Sequence, residues 1–77
     1  MIKVRFDFYN KDTETLEFRY KTCLPLGLVN AAIGDDDLDE LIGCFYPVTN
    51  EIIRYCEREN PNLVGKFQNY IVFFIGD

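Results

Sequence analysis

The chain contains no histidine, no tryptophan and no serine, and a single methionine. Without histidine it lacks the side chain that most often moves protons near neutral pH. Without serine, a Ser-His-Asp arrangement is excluded. Cysteine is sparse and odd in number: Cys23, Cys44 and Cys56, with no CxxC pair. A zinc site of the usual Cys/His kind is therefore not expected. No secretory signal pattern opens the sequence, so three free thiols point to a reducing, cytoplasmic setting. The five glycines are scattered, so no loop is built to cradle a phosphate. No apolar run approaches the roughly 20 residues of a membrane-spanning helix. The sequence holds no repeat and no low-complexity segment.

The charge is unevenly spread. The net charge is −5. Residues 1–22 carry five cations against four acids, and residues 54–77 are balanced. Residues 23–53 carry Asp35, Asp36, Asp37, Asp39, Glu40 and Glu51 with no Lys or Arg. An acidic chain without a basic patch is not expected to bind nucleic acid directly. It suits a basic surface on another protein instead.

What the chain has in quantity is apolar and aromatic residues: 48% hydrophobic, with seven Phe and five Tyr. At 77 residues it reads as a single domain, 1–77. A domain that small buries only roughly 60% of its unfolded surface, so large aromatic side chains matter to its core.

Ile2, Val4, Phe6 and Phe8 alternate with Lys3, Arg5, Asp7 and Tyr9. The alternation returns in Leu16–Lys21, and Asn10-Lys11-Asp12 between them is turn chemistry. The pattern predicts a β-hairpin with a solvated, charged outer face. Charge argues for the register: Phe6 opposite Leu16 and Val4 opposite Phe18 put Arg5 across from Glu17. Moving it by two residues sets Arg5 against Arg19. The first register leaves a three-residue loop with Asp12 in the left-handed position.

Pro25 and Gly27 interrupt the next stretch. A short helical turn around 28–33, stopped at Gly34, competes with an extended loop. Asp35–Glu40 has the acids of a helix N-terminus. Leu38, Leu41, Ile42 and Phe45 then fall on one helical face. Pro47 either kinks this helix or separates two, over about 36–45 and 49–59. The final run, Tyr70 to Ile75, is apolar without a break and reads as a strand with both faces apolar. The predicted architecture is α+β: a β-β-α-α-β order, with a mainly antiparallel three-stranded sheet and helices packed on one face.

Candidate chemistry is thin. Asp35, Asp37 and Asp39 resemble the start of a calcium loop, but that loop needs Gly at its sixth position and Glu at its twelfth. Those positions hold Glu40 and Tyr46. The acids read better as a helix start than as the metal site of an enzyme. Cys44 and Cys56 read as small buried hydrophobes, with no base beside them to form a thiolate. No cofactor and no catalytic residue is expected.

The residues expected to meet a partner are therefore Asp35, Asp36, Asp37, Asp39, Glu40 and Glu51 on the acidic side, and Tyr70, Val72 and Phe74 on the last strand. Either these three strand residues or Ile71, Phe73 and Ile75 face away from the helices. The loop at 23–34 covers that face, or it stays open as an adhesive surface. The expected function is a non-catalytic protein-interaction domain. In size, acidity and lack of catalytic residues the chain resembles the small inhibitors encoded by phages and mobile elements, anti-CRISPR proteins among them. That resemblance, which is one of class and not of motif, implies docking on the basic surface of a nucleic-acid-binding protein. Two alternatives stand beside it: a homodimer pairing through the last strand, and a metal-dependent enzyme using Asp35–Glu40.

Overall fold

Two nine-residue strands, β1 (Ile2–Asn10) and β2 (Leu16–Leu24), form the hairpin that the alternation predicts. The computed structural model describes residues 1–34, 41 and 43–77. The hairpin register differs from the expected one. Phe8 lies opposite Phe18, Phe6 opposite Tyr20 and Asp7 opposite Arg19. Aromatic contact outweighs the surface-charge argument. Phe8 stacks on Phe18 with ring centroids 4.4 Å apart, and Phe6 on Tyr20 at 6.2 Å. This register sets Arg5 across from Lys21, a repulsion eased because Arg5 turns along its own strand to Asp7.

The loop is correspondingly longer. Asn10 organises it: its side-chain oxygen accepts from the backbone N–H groups of Asp12 and Thr13 at 2.8 and 3.1 Å. The left-handed position falls on Glu14 (φ 58°), not on Asp12. A bulge between the Phe8 and Tyr9 pairings brings Leu16 opposite Tyr9.

On its other side β1 pairs antiparallel with β4 (Tyr70–Gly76). At the far edge of β4 lies β3, the two residues Tyr46–Pro47. Among the described residues the sheet order β2-β1-β4-β3 thus has four strands where three were expected.

Helix α1 spans Leu26–Ile33, longer than the expected turn, and stops at Gly34 (φ 88°), whose N–H reaches Asn30 O at 2.8 Å. Helix α2 spans Asn50–Glu59, close to the expected 49–59. Thr49 caps it through its side chain, Glu51 sits in the first turn and Arg58 in the last. Most of the expected helix 36–45 lies outside the described residues. Within it, Gly43 lies in a turn and Cys44 and Phe45 are irregular. Tyr46–Pro47 is strand, which excludes one continuous helix through Pro47. Proline holds the residue before it extended, and Tyr46 uses that geometry to pair with Phe74.

After a 3-10 turn (Pro61–Leu63), Gly65 takes a positive φ of 84° and starts the short α3 (Lys66–Asn69). The Glu57 carboxylate accepts the Gly65 N–H at 3.2 Å. Lys11 of the hairpin loop donates to the Gln68 carbonyl and so ties α3 to the loop.

The core lies on one face of the sheet. Val4, Phe6, Phe8 and Phe74 meet Val29 and Ile33 of α1, Ile52 and Cys56 of α2, and Phe67 of α3. Phe67 meets Phe6 edge-on at 5.7 Å and Phe8 at 5.2 Å. Both long helices therefore cover this inner face. Among the described residues no helix is long and apolar enough to cross a membrane.

Candidate functional site

The alternation of β1 puts Lys3, Arg5, Asp7 and Tyr9 on the outer face, and the pairings extend that face sideways. Leu16, Tyr9 and Ile71 form one row. Arg19, Asp7, Phe73 and Pro47 form the next, and Lys21, Arg5 and Ile75 a third. The β2 side of the face is charged and the β4 side apolar.

The charged side is not simply solvated. Asp7 is only 1% exposed. Arg5 Nε and Nη2 donate to its two carboxylate oxygens at 2.9 and 3.3 Å. Arg19, directly opposite, brings its Nε to 3.4 Å. Two guanidinium groups thus close over one carboxylate, which supplies the compensation a buried charge requires. Beyond Asp7 the Arg5 guanidinium lies over the Phe45 ring, 5.9 Å from its centroid. Lys21 stands 3.9 Å from Asp77. Among the described residues Lys3 takes part in none of these ion pairs.

On the apolar side, Ile71 is 36%, Phe73 37% and Phe45 48% exposed. With Tyr9 and Glu14 they line an open groove of about 500 Å³. Glu14 is its single charged lining residue among the described residues. The partner face expected on β4 is hence the opposite one. Phe74 is fully buried, and Tyr70 and Val72 pack against the core. They are drawn inward because β1 presents Phe6 and Phe8 on that face, opposite Phe74 and Val72. The 23–34 stretch folds as α1 onto the inner face and leaves Ile71 and Phe73 without its cover.

Of the acidic residues expected at the site, Asp35, Asp36, Asp37, Asp39 and Glu40 lie outside the described residues. Glu51 is exposed and shares a hollow of about 400 Å³ with Pro25, Leu28, Arg54, Tyr55 and Arg58, between α1 and α2 and apart from the outer face. The structure does not bring Glu51 together with β4's outer face. Among the described residues no three Cys, Asp or Glu side chains converge as metal ligands would. Phe45, Tyr9 and Glu14 escaped sequence reasoning. Phe45 sat on an expected helical face, Tyr9 was read as hairpin surface, and Glu14 fell beyond the expected three-residue loop, 10–12.

The thiols differ sharply. Cys44 is exposed, Cys23 partly buried and Cys56 buried. Burial, aided by the Glu57 charge, pushes the Cys56 thiol up to about 12. The unfolded thiol ionises near 9. Between those values the unfolded chain holds fewer protons, so the stability from this group is whole below about 9 and falls as pH rises toward about 12. The slope has a ceiling of about 1.4 kcal/mol per pH unit. Urea denaturation across the pH window between those two values should show the Cys56→Ala variant losing stability less steeply than the wild type. Parallel curves would contradict this assignment.

No protein-family model matches the chain, no curated protein matches it, and no solved structure matches it.

Proposed function

We propose that this protein is a non-catalytic interaction domain, of the small-inhibitor kind, that docks through the outer face of its sheet on a basic surface of a nucleic-acid-binding protein. The observation that carries the reading is the apolar strip Phe45, Ile71 and Phe73, held in the open beside β1. Large side chains grouped on a rigid sheet lose little conformational freedom on docking, and contiguous exposed apolar surface marks an interaction site. The charge of −5 selects a cationic partner and speeds encounter with it. The acids Asp35–Glu40 supply most of that charge and are proposed to add to the same attraction.

Self-association has one observation in its favour. Among the described residues β3 pairs with two residues of β4, the Gly76 N–H goes to Leu41 O, and Tyr70–Gly76 contains no charged residue to guard its edge. Sedimentation at high micromolar concentration separates the readings, since a monomer there counts against the dimer.

The docking reading is tested by affinity capture from a host lysate with the wild type and with an Ile71→Gln/Phe73→Gln double variant, its fold checked by circular dichroism. The expected catch is a basic nucleic-acid-binding protein. It should be released by salt, and the double variant should bind it on the order of a hundredfold more weakly, as for two central apolar anchors. Equal capture by the double variant would overturn the outer-face assignment.

A further inference from the structure

We propose that the groove on the outer face receives one arginine side chain of the partner, with Glu14 as the group that recognises it. This deepens the docking reading and rests on it.

Three features converge on that occupant. The first is chemical mixture. Among the described residues the groove joins aromatic and apolar walls (Tyr9, Phe45, Ile71, Phe73) to a single carboxylate, that of Glu14. An arginine matches both parts: its methylene stem lies on apolar surface, and its flat guanidinium stacks on a ring while forking onto a carboxylate. The second is charge. None of the ion pairs among the described residues engages Glu14, whereas Arg5 and Arg19 are already matched to Asp7. The groove therefore offers a carboxylate outside these ion pairs, while Arg5 and Arg19 are both directed onto Asp7.

The third feature is the backbone of Glu14. Its φ of 58° belongs to the left-handed region, where a side chain meets steric cost and glycine or asparagine is the usual residue. The backbone requires this conformation, because the Glu14 N–H closes the hairpin loop on Asn10 O at 2.8 Å. A glutamate here is a poor choice for folding and a good one for placing a carboxylate at the groove. The same geometry already operates within this face, where the Arg5 guanidinium lies over Phe45 and forks onto Asp7.

The test titrates an N-acetylated, C-amidated peptide with one arginine between alanines into isotope-labelled protein, observed by NMR. Matched peptides carry lysine or citrulline in its place. The expected result is weak binding of the arginine peptide, with shifts confined to Tyr9, Glu14, Phe45, Ile71 and Phe73. Citrulline should bind about tenfold more weakly and lysine several-fold more weakly, and Glu14→Gln should cost about tenfold in arginine binding. Glu14→Gly should weaken binding as much while raising the urea midpoint, because glycine relieves the left-handed backbone. Equal binding of the citrulline or lysine peptide, shifts spread over the acidic surface, or a Glu14→Gln variant with unchanged affinity would each overturn the assignment. If that happens while Ile71→Gln/Phe73→Gln still abolishes partner capture, the docking face stands and only its arginine pocket falls.

Discussion

Replacing Phe6 with alanine is expected to leave much of the protein unfolded at room temperature. Phe6 is fully buried, and its ring meets those of Tyr20, Phe67 and Phe74 at 6.2, 5.7 and 6.0 Å. It thereby joins the hairpin, α3 and the last strand at one point. Truncating a buried Phe costs about 3–5 kcal/mol, from lost apolar transfer and the cavity left behind. A chain of this length has a total stability of roughly 4–12 kcal/mol. The loss is thus comparable with the whole at the lower end of that range. Urea denaturation followed by circular dichroism measures it. Val64→Ala, at a side chain 65% exposed, is the control and should move the midpoint little. Phe6→Leu should keep most of the stability, since it retains much of the volume. A Phe6→Ala midpoint close to that of Val64→Ala would refute the core described above.

The second large effect is expected at Asp7. Removing one member of a buried ion pair costs about 3–5 kcal/mol when its partner is left desolvated. Here the partners reach water: the Arg5 side chain is 24% and the Arg19 side chain 52% exposed. Solvent screening therefore lowers the expected loss for Asp7→Ala to about 1–3 kcal/mol. Arg5 should also lose the anchor that holds it over Phe45, so the groove wall should loosen and partner binding weaken with it. A double-mutant cycle between Asp7→Ala and Arg5→Ala should give a coupling of about 0.5–3 kcal/mol, since the two share two hydrogen bonds. A stability change within about 0.5 kcal/mol for Asp7→Ala would show that the cluster is an ordinary surface pair.

Local patterning alone supplied much of the fold. The two-residue period of β1 named Val4, Phe6 and Phe8 as buried, and all three are. The break at Pro47 and the second helix expected over about 49–59 located α2 (Asn50–Glu59). Pro47 marked a break in the right place but concealed a strand, since two residues carry no period to read. These features depend on neighbours within a few positions along the chain, and the sequence contains those neighbours.

The site was a different matter. The uninterrupted apolar run of β4 is compatible with either face pointing inward, because a two-residue period has no meaning when both phases are hydrophobic. The choice was made by Phe6 and Phe8, whose face already held α1, α2 and α3, so that Phe74 and Val72 had to join them. The hairpin register was likewise decided by ring stacking across strands and by the Asn10 loop, not by the charges that alternation exposes to view. That register set Arg19 opposite Asp7, and so turned a surface aspartate into a buried one. The amino-acid sequence by itself determined β1, β2 and β4 as strands and α2 as a helix, and that the last strand is apolar on both sides. Only the tertiary structure decided that Ile71 and Phe73 face outward, that Phe45 and Glu14 stand beside them, and that Asp7 is enclosed, because each depends on cross-strand partners far apart in the chain.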